Sequence, residues 1–124
     1  MLTCFLVEDS PLIRHNLVAA LEELLPLRVL DHREDQDSAI AWLADATQPC
    51  DLVIIDLFLK RGSGLEVLRQ ARRLRPAARL VVLSNYATPD VRRRAAQLGA
   101  DRVFDKSAEL EDLLAYCATL TAAG

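Results

Sequence analysis

Short apolar runs alternate with amphipathic stretches along the whole chain. Cys4–Val7, Leu52–Ile55, Leu80–Leu83 and the pair Val103–Phe104 are apolar throughout, and Leu27–Leu30 is nearly so. Each is too short for a helix, and most are rich in β-branched or aromatic residues. Such runs read as strands covered on both faces of a parallel sheet. The segments between them carry helical spacing. Ser10 is placed to cap a first helix with Pro11 at its first position, and Leu12, Ile13, Leu17, Leu21, Leu24 and Leu25 then recur until Pro26. A second helix is expected from about Asp37 to Ala46, with Ile40, Trp42 and Leu43 as its large apolar groups. A third spans about Leu65 to Leu74, placing Leu65, Leu68, Ala71 and Leu74 on one face before Pro76 stops it. Thr88-Pro89-Asp90 opens a fourth, which ends at Leu98-Gly99, and a fifth covers about Glu109 to Thr119 with Leu110, Leu113, Leu114 and Cys117 inward.

Strand and helix therefore alternate five times. Right-handed crossovers between parallel strands place helices on both faces of one sheet, so the expected class is α/β, a doubly wound (βα)5 domain. At 124 residues the chain is one domain. It ends just after the fifth helix, which leads to the expectation that no output domain is attached. A net charge of −3 argues against nucleic-acid binding driven by bulk charge. No basic leader precedes the first apolar run, and no run approaches the roughly 18 residues of a membrane span, so a cytoplasmic location is expected. Cys4 and Cys117 read as small core residues, whereas Cys50, beside Pro49 in a loop, is placed where it can be exposed.

In open parallel sheets, ligands bind outside the carboxyl ends of the strands at a topological switch point. Those ends carry Glu8 and Asp9 after the first strand, Asp56 after the third, Ser84 after the fourth and Lys106 shortly after the fifth. Taken alone, Asp56 suits a residue that merely ends a strand and caps a loop, with Gly62 and Gly64 loosening the backbone beyond it. The rim as a whole says more. Two carboxylates about 4 Å apart repel by roughly 4 kcal/mol at an effective dielectric near 20, so three together call for a cation. Oxygen ligands, some of them water, suit Mg²⁺, and a carboxylate held there is able to act as a nucleophile towards a phosphoryl group. Lys106 would neutralise a phosphoryl oxygen and Ser84 would donate a hydroxyl hydrogen.

The ordered set Leu6-Val7-Glu8-Asp9-Ser10, Val53-Ile54-Ile55-Asp56-Leu57, Gly64-Leu65-Glu66-Val67-Leu68, Val82-Leu83-Ser84-Asn85, Leu98-Gly99-Ala100-Asp101 and Phe104-Asp105-Lys106-Ser107 resembles the receiver domain of two-component response regulators. The resemblance covers essentially the whole chain. It implies a flavodoxin-like strand order 2-1-3-4-5 and a phosphoacceptor module that catalyses only its own phosphorylation and dephosphorylation. It implies Asp56 as the acceptor and Ser84 and Lys106 as phosphoryl contacts. Asp9, Asp56 and the backbone carbonyl of Phe58 would hold Mg²⁺, with Glu8 acting through water. A histidine kinase or phosphotransfer protein would be the donor. The face of helix four, strand five and helix five would meet a downstream protein or a second copy in a homodimer. Independently of the resemblance, direct DNA binding is not expected, since no helix-turn-helix follows, and no membrane contact is expected.

Four positions depart from that pattern. Lys60 stands where the family often has proline. Val103 stands where many relatives carry an aromatic that turns inward on phosphorylation, and by strand alternation Phe104 should face the other way. Ser107 follows Lys106 where proline after a cis bond is common, leaving a trans bond or a strained cis one. Phe58 and Tyr86, two residues past Asp56 and Ser84, are bulky enough to hinder an attacking water. Arg69, Arg72, Arg73, Arg75 and Arg79 around helix three, and Arg92, Arg93 and Arg94 on helix four, read as solvated helix faces, the triple arginine alternatively as a partner surface. His15 lies in the first helix, where a phosphotransfer role is not expected. Two other functions fit less of the pattern: a phosphorylation-independent receiver-like adaptor, and a Mg²⁺-dependent phosphohydrolase, which lacks a second aspartate two residues past Asp56.

Overall fold

The computed structural model describes residues 1–123. Its elements follow the apolar pattern: β1 (Leu2–Val7), α1 (Pro11–Leu24), β2 (Leu27–Arg33), α2 (Gln36–Ala44), β3 (Leu52–Ile55), α3 (Gly64–Leu74), β4 (Arg79–Ser84), α4 (Pro89–Gln97), β5 (Arg102–Asp105) and α5 (Leu110–Ala123). The strands form one five-stranded sheet in the order β2-β1-β3-β4-β5, and every neighbouring pair is parallel. Alternation along each strand divides the core. Phe5, Val7, Val53, Ile55 and Val82 pack on one face with Trp42, Leu43, Val67, Leu68 and Ala71 of α2 and α3 and with Ala95 of α4. Cys4, Leu6, Ile54, Leu83 and Phe104 pack on the other with Leu17 and Leu21 of α1 and Leu113 and Cys117 of α5. Val103 joins the first cluster and Phe104 the second, as their alternation requires.

The helix starts are built as the sequence indicates. Ser10, Ser63 and Thr88 accept N–H bonds from the first turns of α1, α3 and α4, and Asp35 does so for α2. Gly99 ends the α4 turn with φ +108°, a left-handed value that suits glycine. Several expectations are corrected. β2 continues through Arg33, because residues 31–33 pair with Phe5, Leu6 and Val7 beyond a register shift in β1. Leu12 and Leu24 are exposed on α1, and Leu110 is partly exposed on α5, because each falls off the narrow stripe that meets the sheet. Val67 takes the central inward position on α3 instead of Leu65 and Leu74, which are only half-buried. Cys50 is largely buried against the core, its Sγ beside the Leu52 carbonyl, and burial pushes its thiol up to about 11.

The arginines are the largest correction. Arg75 on α3 donates to the carbonyls of Leu43, Asp45 and Gln48, and its guanidinium lies 5.6 Å from the centre of the Trp42 ring. Arg72 donates to the carbonyls of Pro76, Ala78 and Gly99 and to Asp101. Arg92 donates to the Ala87 and Val103 carbonyls and to Glu109, joining α4 to β5 and the start of α5. These three tie loops and helices together. Arg69 and Arg93 pair with Glu66 and Asp90 one turn away on exposed helix faces.

Candidate functional site

Between β1 and β3 the chain order reverses, and the site lies there. The Asp56 N–H donates to the Val7 carbonyl at 2.9 Å, which fixes Asp56 one residue past β3 and beside the end of β1. The Lys106 N–H donates to the Ser84 carbonyl at 3.0 Å, which extends the β4–β5 ladder and sets Lys106 just past β5. From there the Lys106 ammonium lies 2.5 Å from Glu8 Oε1 and 2.9 Å from Asp56 Oδ2. One oxygen of each carboxylate is anchored by its own loop or the loop opposite. Glu8 Oε2 accepts from the Ser10 N–H at 3.2 Å, Asp56 Oδ1 from the Phe58 N–H at 3.1 Å, and Asp9 Oδ2 from the Lys60 N–H at 2.7 Å.

Glu8 is 2% exposed and Asp56 6%, so two acids and an ammonium group share a nearly dry space. Burial is the dominant influence on Glu8 and raises its pKa, even against the Lys106 ammonium beside it. Burial works to lower the pKa of Lys106, but the two carboxylates outweigh it and hold the ammonium above its ordinary range. A ligand oxygen from each of Glu8, Asp9 and Asp56 lies within 4.8 Å of the other two. Adjacent oxygens on an octahedral Mg²⁺ stand about 3 Å apart and opposite ones about 4.2 Å, so these donors suit a hard cation held by some of them directly and by the rest through water.

A cavity of about 230 Å³ opens above this cluster, walled by Glu8, Asp9, Asp56, Lys106, Phe58 and Tyr86 among others. Phe58 and Tyr86 are both more than half exposed and meet edge to face, with ring centres 5.1 Å apart. Glu8, Asp9, Asp56 and Lys106 are thus brought together, and Phe58 joins them as a wall. Ser84 is fully buried and does not line the cavity; its Oγ accepts the Tyr86 N–H at 3.0 Å.

The response regulator receiver domain model matches residues 4–118. This chain belongs to the receiver domain family. Among curated relatives, it is 38% identical over 83 residues to the acid tolerance regulatory protein ActR of Rhizobium meliloti, covering 66% of this chain and 43% of that protein. It is 40% identical over 60 residues to the photosynthetic apparatus regulatory protein RegA of Rhodobacter capsulatus, covering 48% of this chain and 33% of that protein. The chain thus spans about half or less of the length of these relatives. Among solved structures it is similar to a response regulator from Burkholderia pseudomallei with a phosphorylated aspartic acid, calcium ion and citrate. That likeness has a TM-score of 0.81 at 25% identity and covers 99% of this chain and 70% of the other.

Within this receiver domain several features were not visible in the sequence. Gln36 at the start of α2 holds the β3–α3 loop, its N–H donating to the Arg61 carbonyl and its Oε1 accepting the Ser63 N–H. Gly64 permits a close approach: a Cβ there would fall 2.1 Å from the Asp56 carbonyl oxygen. The capping Ser63 before a helix starting at Gly64 was a usable signal; the Gln36 contact, between residues 27 apart, had none. The Lys106–Ser107 bond is trans, and Ser107 donates to Asp105 Oδ1 through both its N–H and its hydroxyl. No helix among the described residues is long and apolar enough to cross a membrane.

Proposed function

We propose that this receiver domain takes a phosphoryl group on Asp56 from a phosphohistidine of a kinase or phosphotransfer protein. In that step the phosphorus–nitrogen bond breaks, a bond forms from phosphorus to a carboxylate oxygen of Asp56, and the imidazole leaves with its electron pair. The observation that carries the reading is the pairing of the largely buried Lys106 ammonium with both Asp56 and Glu8 at the floor of the cavity beside Asp9. The Phe58 N–H holds Asp56 Oδ1 and the Lys106 ammonium holds Oδ2, so Oδ2 attacks as Lys106 passes to the incoming phosphoryl oxygens. Ser84 Oγ already accepts an N–H, so its own hydrogen is left to donate to a phosphoryl oxygen once the β4–α4 loop draws in. Asp9 and Asp56, with the Phe58 carbonyl and a water on Glu8, would hold Mg²⁺, which supplies charge neutralisation of the transferring group. The Burkholderia pseudomallei relative with its phosphorylated aspartic acid and calcium ion supports this reading.

Phosphorylation then shifts an existing equilibrium towards a form whose α4–β5–α5 face meets a downstream protein, because contacts to Ser84 and Lys106 favour that form. The protein acts in the cytoplasm and catalyses only its own modification. The test is intact-mass measurement after incubation with acetyl phosphate and Mg²⁺, alongside Asp56→Asn. A single phosphoryl adduct on wild type alone is expected. No adduct under conditions that label a control receiver would point to the docking-only adaptor.

A further inference from the structure

We infer that the apolar groove between the β3–α3 loop and α4 docks an acidic, amphipathic segment of a partner protein. The groove encloses about 490 Å³, and its apolar lining comes from Leu57, Phe58, Leu59, Leu65 and Val91. Two cations stand at its rim, Lys60 from the loop and Arg94 from α4. Among the described residues neither side chain has an ion pair or hydrogen bond, whereas Arg72, Arg75 and Arg92 are taken up by carbonyls and carboxylates. The one acid at the rim, Asp90, is already paired with Arg93. An apolar floor between two free cations matches a segment that alternates leucine-like side chains with carboxylates. Ala95 is the one fully buried residue of α4, so most of this helix is surface that faces solvent or the groove. Asp56 does not line the groove, and the unphosphorylated chain already presents it.

The probe is a set of fluorescein-labelled helical peptides of about 14 residues, with leucine at i, i+3 and i+4 among glutamates, and matched twins with lysine in place of glutamate. Anisotropy titrations on the full chain, with amide chemical-shift mapping, read the result. Expected is binding by acidic peptides only, weakening as salt rises, with shifts at Leu59, Val91 and Arg94. Lys60→Glu with Arg94→Glu, checked for folding by circular dichroism, should weaken that binding at least about tenfold and admit the lysine twins. Equal binding by both sets, no binding by any acidic peptide below about 1 mM, or shifts confined to α5 would each overturn the proposal. So would a dimer in sedimentation that the same double substitution dissolves, since the occupant would then be a second copy. Asp56→Asn should bind unchanged, so failure of the phosphoacceptor reading leaves this result standing.

Discussion

Replacing Lys106 with methionine keeps an unbranched apolar stem and removes the charge together with the N–H donors to Glu8 and Asp56. The ammonium it removes lies 2.5 Å from Glu8 and 2.9 Å from Asp56, and all three side chains are below a tenth exposed. Two carboxylate oxygens at the 4.8 Å limit of the cluster repel by about 3.5 kcal/mol at an effective dielectric near 20. Breaking a buried pair costs about 3–5 kcal/mol when the remaining charge stays. A loss of about 3–5 kcal/mol is therefore expected where Glu8 stays ionised, and a smaller one where it takes up a proton. The pH dependence has a definite sign. Glu8 already has a raised pKa in the folded protein, and Lys106 is one of the influences holding it down. Without the lysine the folded pKa rises further. A raised carboxyl pKa contributes stability that is present below the unfolded value and lost as pH rises through the folded value. The deficit of Lys106→Met against wild type should therefore shrink between pH 8 and pH 5. Urea denaturation at both values measures it, and millimolar Mg²⁺ should raise the variant's midpoint more than that of wild type. A variant as stable as wild type at pH 8, or a deficit that grows on acidification, would refute the account of the cluster.

Gly64→Ala would press a methyl group against the Asp56 carbonyl at 2.1 Å and Leu57 Cα at 2.4 Å, so a loss of about 1–3 kcal/mol is expected in urea; an unchanged midpoint would mean that the loop yields freely. On the exposed surface, Arg69 hydrogen bonds hold Glu66 down to about 2, and Thr47, Ser107 and Arg92 likewise hold Asp45, Asp105 and Glu109 below their ordinary range. Lowered carboxyl pKa values contribute stability that is lost as pH falls, so the urea midpoint should drop from about pH 5 to pH 3, and a steady rise over that interval would contradict it. Under the proposed function, Phe58→Asn with Tyr86→Ala should shorten the lifetime of an acyl phosphate on Asp56 severalfold, followed by loss of the phosphorylated mass; an equal or longer lifetime counts against the two rings as a barrier to water. Arg92→Ala and Glu109→Ala should show coupling of about 1 kcal/mol in a double-mutant cycle, whereas additive effects would mean that the carbonyl contacts of Arg92 carry its role alone.

The sheet was legible because its strands are covered on both faces, and so read as unbroken apolar runs with nothing to confuse the period. The acidic rim was legible for a related reason. Charged residues directly after such runs have only the carboxyl edge of the sheet to occupy, and Glu8, Asp56 and Lys106 converge there across 98 positions of sequence. What escaped was of a different kind. Arg72, Arg75 and Arg92 look like solvated cations because guanidinium groups that serve distant carbonyls leave no local pattern. Leu12 and Leu24 look like core residues because helical spacing alone does not fix the width of the buried stripe on α1. Gly64 is marked as glycine in the sequence, but the backbone that approaches it is fixed only by the turn after β3.

The same geometry explains why a folded chain tolerates such an edge at all. Parallel strands deliver Glu8 and Asp56 to adjacent positions because β1 and β3 are neighbours in register, with Val7 opposite Ile55. Their repulsion is therefore built into the topology and is not relieved by local rearrangement. Lys106 offsets part of it, while burial, more than the charge of Asp56, keeps the pKa of Glu8 raised. A site with two buried carboxylates, low solvent access and one ammonium shared between them responds to whatever changes that balance. Under the proposed function, a divalent ion and a phosphoryl group change it in sequence, first adding positive charge and then drawing the lysine and Ser84 towards new oxygens. On that reading the differential contacts that a two-state response requires come from Lys106 and Ser84, since position 103 is valine and offers no aromatic ring.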